Sequence, residues 1–224
     1  MYTKVIAAVA VLVAIFFLVP DSSKDYTALK KQLKSSFIIQ ETHREIPLFS
    51  LIDHNNKEFA NKHLEDNWTL LLFVYTNCPD VCPTELMHMS LLKANLLNNN
   101  SKVVPNIVAI TFDPARDTPE VLKTYVPHFD KDFLGVSGDQ TQINSLVKSF
   151  NAYYERVLKN KQGEEFVLQA EDPLPEDAVK KGYIINHTAQ IYLVAPNGKK
   201  FAEFPTPHNI NNMVGDINLI IENY

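Results

Sequence analysis

"WTLLLFVYTNCPDVCPTELM", residues Trp68 to Met87, joins an apolar run to the only two cysteines of the chain. Trp68 to Tyr75 is almost uninterruptedly apolar, which predicts a central strand buried on both faces. From Pro83 onward, Leu86, Met89, Leu92 and Leu96 recur at helical spacing and predict a helix to about Leu97. Cys78 and Cys82 lie between the two elements. A residue before proline avoids helical backbone and proline suits the first helical position, so Cys82 is the expected helix N-cap. The thiols thus stand where free N–H groups and the helix dipole stabilise a thiolate. The carboxyl end of a buried strand is also where open α/β sheets build their sites.

Working outward, a second apolar run, Asn106 to Phe112, ends in Asp113-Pro114. Helices are expected at Pro119–His128 and Gln140–Phe150, with a short strand near Phe133–Val136. Ala189–Ala195 and Lys199–Phe204 read as two strands around the Asn197-Gly198 turn, and a last helix runs from about Asn209 to Glu222. A βαβ unit followed by a β-hairpin and a C-terminal helix is the thioredoxin-like α/β arrangement, here with insertions. One insertion, Asn160 to Lys181, is acidic and rich in Pro and Lys and reads as a surface excursion.

The N-terminus differs in kind. Val5 to Pro20 carries no charge and follows a single Lys4. It is long for a signal-peptide core and lacks a good small-residue cleavage site. Residues 1–20 therefore read as a signal anchor, with a cleaved signal as the alternative. Residues 21–34 read as a linker or short juxtamembrane helix, and 35–224 as one domain outside the cytoplasm. No Arg-rich transit segment precedes the anchor, so a bacterial inner membrane with the domain in the periplasm is expected. A net charge of -5 argues against a nucleic-acid binder. No GxGxxG or Walker pattern is present, which removes the common nucleotide chemistries.

The cysteines have three readings. A structural disulfide would close a loop of a few residues, and the stabilisation falls with loop length. A dithiol switch of the thioredoxin kind spaces its cysteines by two residues, whereas three intervene here. Two thiolates are also soft ligands for Cu(I) or zinc, with a third ligand from elsewhere. Of the seven histidines, His43, His54 and His63 lie in polar stretches, His88 is on the cysteine helix between two methionines, His128 ends a helix, and His208 follows Pro-Thr-Pro. His187 stands just before a core strand, in a loop that faces the cysteine loop in this fold. Local chemistry leaves it open as a ligand.

Thr76-Asn-Cys-Pro-Asp-Val-Cys-Pro83, Thr111-Phe-Asp-Pro-Ala-Arg-Asp-Thr-Pro119, and His187-Thr188 leading to Tyr192-Leu-Val-Ala-Pro-Asn-Gly198 resemble the Sco/SenC family, from about Glu45 to the C-terminus. The resemblance implies a membrane-anchored, thioredoxin-like copper protein that helps assemble cytochrome c oxidase. It implies copper, as Cu(I) or Cu(II), on Cys78, Cys82 and His187. Its partners would be a copper-accepting oxidase subunit and other copper or thiol-redox proteins. The rival class is an extracytoplasmic thiol–disulfide oxidoreductase that uses Cys78 and Cys82 alone. Asp is common before the family's histidine, and Asn186 stands there. The turn His54–Phe59 lacks an expected glycine. Asp113 and Asp117 suit capping of a turn and of the Pro119 helix. The alternative is that they support the site or dock a partner.

Overall fold

Every side chain of Thr69–Val74 is buried, because this strand runs through the middle of the sheet. The computed structural model describes residues 24–224, so the expected anchor at 1–20 lies outside the described residues. No helix among the described residues is long and apolar enough to cross a membrane. In chain order the strands are β1 (Phe37–Ile38), β2 (Ser50–Asp53), β3 (Glu58–Ala60), β4 (Thr69–Val74), β5 (Asn106–Thr111), β6 (Leu134–Ser137), β7 (Tyr154–Lys159), β8 (Glu165–Gln169), β9 (Ile184–His187), β10 (Ile191–Val194) and β11 (Lys200–Phe204). The α-helices are α1 (Thr27–Lys30), α2 (Val81–Asn98), α3 (Pro119–Tyr125), α4 (Gln140–Ser149), α5 (Ala178–Lys181) and α6 (Ile210–Asn223).

An eight-stranded sheet has the order β1-β11-β10-β4-β5-β6-β2-β3. Strands β4, β5 and β6 are parallel, and β10 and β11 join antiparallel on the other side of β4. This is the thioredoxin-like order expected from the sequence. Parallel neighbours need a crossover, which α2 and α3 supply. Helix α2 turns Cys82, Leu86, Met89, Leu92 and Leu96 into the core and packs on α6. Leu92 is wholly buried, and Leu92→Ala is expected to cost about 2–5 kcal/mol. Gly198 adopts the left-handed conformation that the expected turn between β10 and β11 requires, at φ 73°.

Two features depart from the sequence reading. Strands β1, β2 and β3 precede β4, which was expected to be the first clear strand. They occupy the sheet's two edges and are short, so they leave no long apolar run. In the β2–β3 turn, Asn56 takes the left-handed position at φ 60°, a role asparagine fills in place of the missing glycine. The Asn160–Lys181 excursion also holds regular structure. Its β8 pairs with β7, and β7 pairs with β9, as a separate three-stranded sheet. β8 is exposed along most of its length, so burial left no alternation to read in its sequence.

The segment before β1 is fastened to the last helix. Asp216 is buried in α6 and accepts from the backbone N–H groups of Lys34 and Ser35 and the hydroxyls of Ser35 and Ser36. Leu29 of α1 is buried, and Tyr26, the residue ahead of that helix, stacks edge-on against Phe201 at 5.0 Å.

Candidate metal centre

Three segments meet at the carboxyl end of β4: the Tyr75–Asp80 loop, the first turn of α2, and the end of β9. The helix begins at Val81, one residue before Cys82, with Asp80 as N-cap. Cys82 is therefore inside the first turn rather than the cap. Pro83 tolerates this because the first N–H groups of a helix have no intrahelical partner for it to forfeit. The free N–H of Cys82 instead donates to Cys78 Sγ at 3.3 Å. Cys82 Sγ in turn accepts from the backbone N–H of Tyr75 at 3.5 Å. Cys78 is partly exposed, Cys82 is buried, and both are free thiols.

The hydrogen bond from the Cys82 thiol, together with the backbone N–H groups of Cys82 and Asp80, pulls the Cys78 thiol down to about 4. That thiol-to-thiolate bond, together with burial, pushes the Cys82 thiol up. The two sulfurs thus hold one proton between them at neutral pH. An incoming soft cation needs to displace only that one proton to have two thiolates.

β9 delivers the third donor. Tyr154 of β7 pairs with His187, so the smaller sheet, to which the excursion adds β8, sets where the histidine stands. His187 Nδ1 donates to the carbonyl of Thr188 at 2.8 Å, which leaves Nε2 with a bare lone pair. That nitrogen lies 3.3 Å from Cys82 Sγ. Cys78 Sγ, Cys82 Sγ and the His187 nitrogen all fall within 4.8 Å of one another. The rings of Phe112 and Tyr75 pack at 5.0 and 5.7 Å from the imidazole and restrict its rotation. Asn186 plays no part in orienting that ring: its amide donates to Glu155 on the exposed side of β7.

Asp117 does not cap the Pro119 helix, whereas Asp113 does stand at the head of a turn, its carbonyl accepting from the N–H groups of Arg116 at 3.1 Å and Asp117 at 2.8 Å. Thr118 caps α3, accepting from the Val121 N–H at 3.4 Å, and both aspartates are buried. Asp117 accepts from Thr76 N–H at 3.0 Å, Thr76 Oγ1 at 2.5 Å and Thr111 Oγ1 at 2.5 Å. Burial holds its carboxyl above the usual carboxylate range. Asp113 accepts from the guanidinium of Arg116 and from the hydroxyl of Tyr183, the latter at 2.5 Å. Arg116 lies 3.6 Å above the Tyr183 ring and donates to its carbonyl at 2.8 Å. The loop after β5 thus grips Thr76, two residues before Cys78, and Tyr183, four residues before His187. It ties the thiol loop to the histidine strand. Only the hydroxyl-rich company of Asp117, Thr76 and Thr111, hinted at this in sequence.

Of the other histidines, His54 is buried, accepting from the Gly135 N–H at 3.0 Å, despite its polar surroundings in sequence. His88 and His208 meet around Glu85, a residue that sequence reasoning did not single out. Glu85 also borders a small cleft lined by Cys82, His187 and Ile191.

The chain matches SCO1/SenC over residues 38–222. It belongs to the SCO1/SenC family. An SCO2-like protein of Rickettsia felis is 36% identical over 156 residues, which cover 70% of this chain and 67% of that protein. Bradyrhizobium japonicum ScoI, solved with copper bound, is 32% identical with a TM-score of 0.59, covering 77% of this chain and 98% of the other. Arabidopsis thaliana ScoI, also solved with copper bound, is 26% identical with a TM-score of 0.66, covering 80% and 98%.

Proposed function

We propose that this chain is a copper carrier of cytochrome c oxidase assembly, holding copper as cargo on Cys78, Cys82 and His187 and passing it to a copper-accepting oxidase subunit. The observation that carries the reading is the convergence of two sulfurs and the free Nε2 of His187, 3.3 Å from Cys82 Sγ. The donor set fits the cargo. Two soft thiolates and one imidazole suit Cu(I), and the imidazole extends the set to Cu(II). A closed structural zinc site uses four protein ligands, which makes zinc the poorer fit to three. The partly exposed Cys78 faces solvent, where an acceptor can reach it. The apolar stretch Val5–Val19 behind Lys4 supports membrane anchoring with the domain in a bacterial periplasm.

The same cysteines support a second chemistry. A thiolate at Cys78 beside a protonated Cys82 is the arrangement of a reactive dithiol, and reduction of a target's disulfide is compatible with copper transfer. The two are separated by His187→Ala. A copper carrier loses the sulfur-to-Cu(II) absorption on this change and keeps weakened Cu(I) binding, measured by chelator competition. If the variant binds both oxidation states like the parent, the three-ligand reading fails and the oxidoreductase remains. Reporter fusions after residue 30 test the location: activity of a cytoplasm-only reporter overturns it.

A further inference from the structure

A second cluster of donors lies on the same helix, and it contains no sulfur. Glu85 and His88, three residues apart on α2, face one side of the helix. His208, from the segment ahead of α6, reaches the same point with a side chain only 1% exposed. Glu85 Oε2 lies 2.6 Å from His208 Nδ1 and 3.5 Å from His88 Nδ1. One donor atom from each of the three residues falls within 4.8 Å of the others.

The hydrogen bonding there asks for a cation. His208 Nε2 donates to the carbonyl of Phe204 at 3.0 Å, so a neutral ring turns the bare Nδ1 lone pair at a carboxylate oxygen. Something positive has to stand between them. A proton satisfies that pair, and hydrogen bonding to Glu85 does raise the affinity of His208 for it despite burial. A proton leaves the third donor unserved, however: His88 Nδ1 is buried and has no hydrogen-bond partner. A divalent ion serves all three at once. The bond from His208 Nε2 to a backbone carbonyl is also the kind of outer contact that fixes a metal-ligating imidazole.

The geometry points to a second metal site, Glu85–His88–His208, for a borderline divalent cation of the Zn²⁺, Co²⁺ or Cu²⁺ kind. Imidazole and carboxylate donors without sulfur favour such ions over Cu(I). Ligands at about 2.0–2.1 Å in tetrahedral array lie about 3.3 Å apart. The His88–Glu85 separation of 3.5 Å already meets this, and the His208–Glu85 separation of 2.6 Å has to widen by less than about 1 Å. Three protein ligands leave a fourth position open. The inference does not depend on copper at the cysteines.

Co²⁺ is the probe, added to the full-length protein carrying Cys78→Ser and Cys82→Ser so that no thiolate is present. One Co²⁺ per chain should bind, with visible d–d bands and no sulfur charge-transfer band. His88→Ala or Glu85→Gln in that background should weaken binding by at least roughly tenfold, since loss of even an outer partner costs a metal site that much. In the unsubstituted chain, His88→Ala should lower the Co²⁺ stoichiometry by one and leave the sulfur charge-transfer band unchanged. This second measurement holds if the serine variant fails to fold. The site is overturned if the serine variant folds and binds no Co²⁺, or if His88→Ala binds as many ions as its parent. Cu(I) titration of the cysteines reports separately on the copper-carrier reading.

Discussion

Two donor clusters share helix α2 and differ in nearly everything else. Cys78, Cys82 and His187 come from a loop, a helix start and a strand of the smaller sheet. Glu85, His88 and His208 come from the middle of the helix and the approach to α6. In the first, two sulfurs share one proton, and the histidine is oriented by the carbonyl of its own neighbour, Thr188. In the second, a carboxylate and an imidazole share a proton and leave another imidazole unsatisfied. The contrast teaches that softness is set by side-chain type while readiness is set by the surroundings. A strand and an anchoring loop hold the first set with Cys78 partly exposed above a buried Cys82, whereas the second keeps its His208 side chain under cover.

The largest expected effect divides the two outright. Cys82→Ser should abolish Cu(I) and Cu(II) binding at the sulfur cluster, because it removes one of only two soft donors, the one 3.3 Å from the His187 nitrogen. Co²⁺ uptake by Glu85, His88 and His208 should persist. Copper titration followed optically, beside Co²⁺ titration of the same sample, reads both. Loss of both metals together from a variant that still folds would mean that the two clusters are coupled as one site.

Next comes the brace that only the sulfur cluster possesses. Asp117→Ala leaves Thr76 N–H, Thr76 Oγ1 and Thr111 Oγ1 without their acceptor. Buried donors left unpaired should cost about 1–3 kcal/mol in urea unfolding of the metal-free protein. The Thr76–Cys78 segment should also lose its position, lowering copper affinity about 10- to 100-fold, the range for an outer partner of a metal site. A stability loss with unchanged copper affinity would make the brace structural only.

A smaller change tests how the sulfurs share their proton. With its acidity drawn down to about 4, Cys78 is ionised throughout the neutral range, and its thiolate is lost only as pH falls through that value. Alkylation of Cys78 in the metal-free protein should therefore vary by less than about twofold between about pH 8 and 5.5, where an ordinary thiol loses roughly tenfold per unit. Cys82, pushed up, should stay unmodified over the same range. A steep fall for Cys78 below about pH 8 would show that the helix start and Cys82 do not hold its charge.

What was legible in the sequence follows from how each signal is encoded. The run Thr69–Val74 and the stripe Leu86, Met89, Leu92, Leu96 are one-dimensional patterns, and both took the expected form. The cysteines announced themselves by rarity, while the position of His187 ahead of a core strand left it open and the Sco/SenC resemblance singled it out. Asp117 misled because capping is a local rule, and Pro119 pointed to a cap nearby. Thr118, one residue closer to the proline, took that role and freed the Asp117 carboxylate for Thr76, 41 positions away. Arg116 to Tyr183 spans 67 positions and Glu85 to His208 spans 123, and no local pattern records such meetings. The smaller sheet was unreadable for the opposite reason. Its β8 is too exposed to need apolar alternation, yet it backs the strand beside His187.

The smallest effect belongs to Asn186, the residue that departs from the family's usual aspartate. If a carboxylate there oriented the imidazole, Asn186→Asp would tighten copper binding. The structure gives a different outcome. Asn186 pairs directly across from Glu155 and donates to its carboxylate at 3.0 Å, while the Nδ1 proton of His187 goes to the carbonyl of Thr188. Asn186→Asp therefore removes a donor and sets two carboxylates opposite each other on an exposed pair of strands. Like charges so placed should cost about 0.2–1 kcal/mol near neutral pH. Protonation relieves that cost, so the gap to the parent in urea unfolding should narrow as pH falls toward the carboxylate range. Copper affinity should stay within about twofold, since Thr188 still fixes the ring. A tenfold gain in affinity would instead mean that a side chain at this position reaches the imidazole, and that its orientation depends on residue 186 rather than on the backbone.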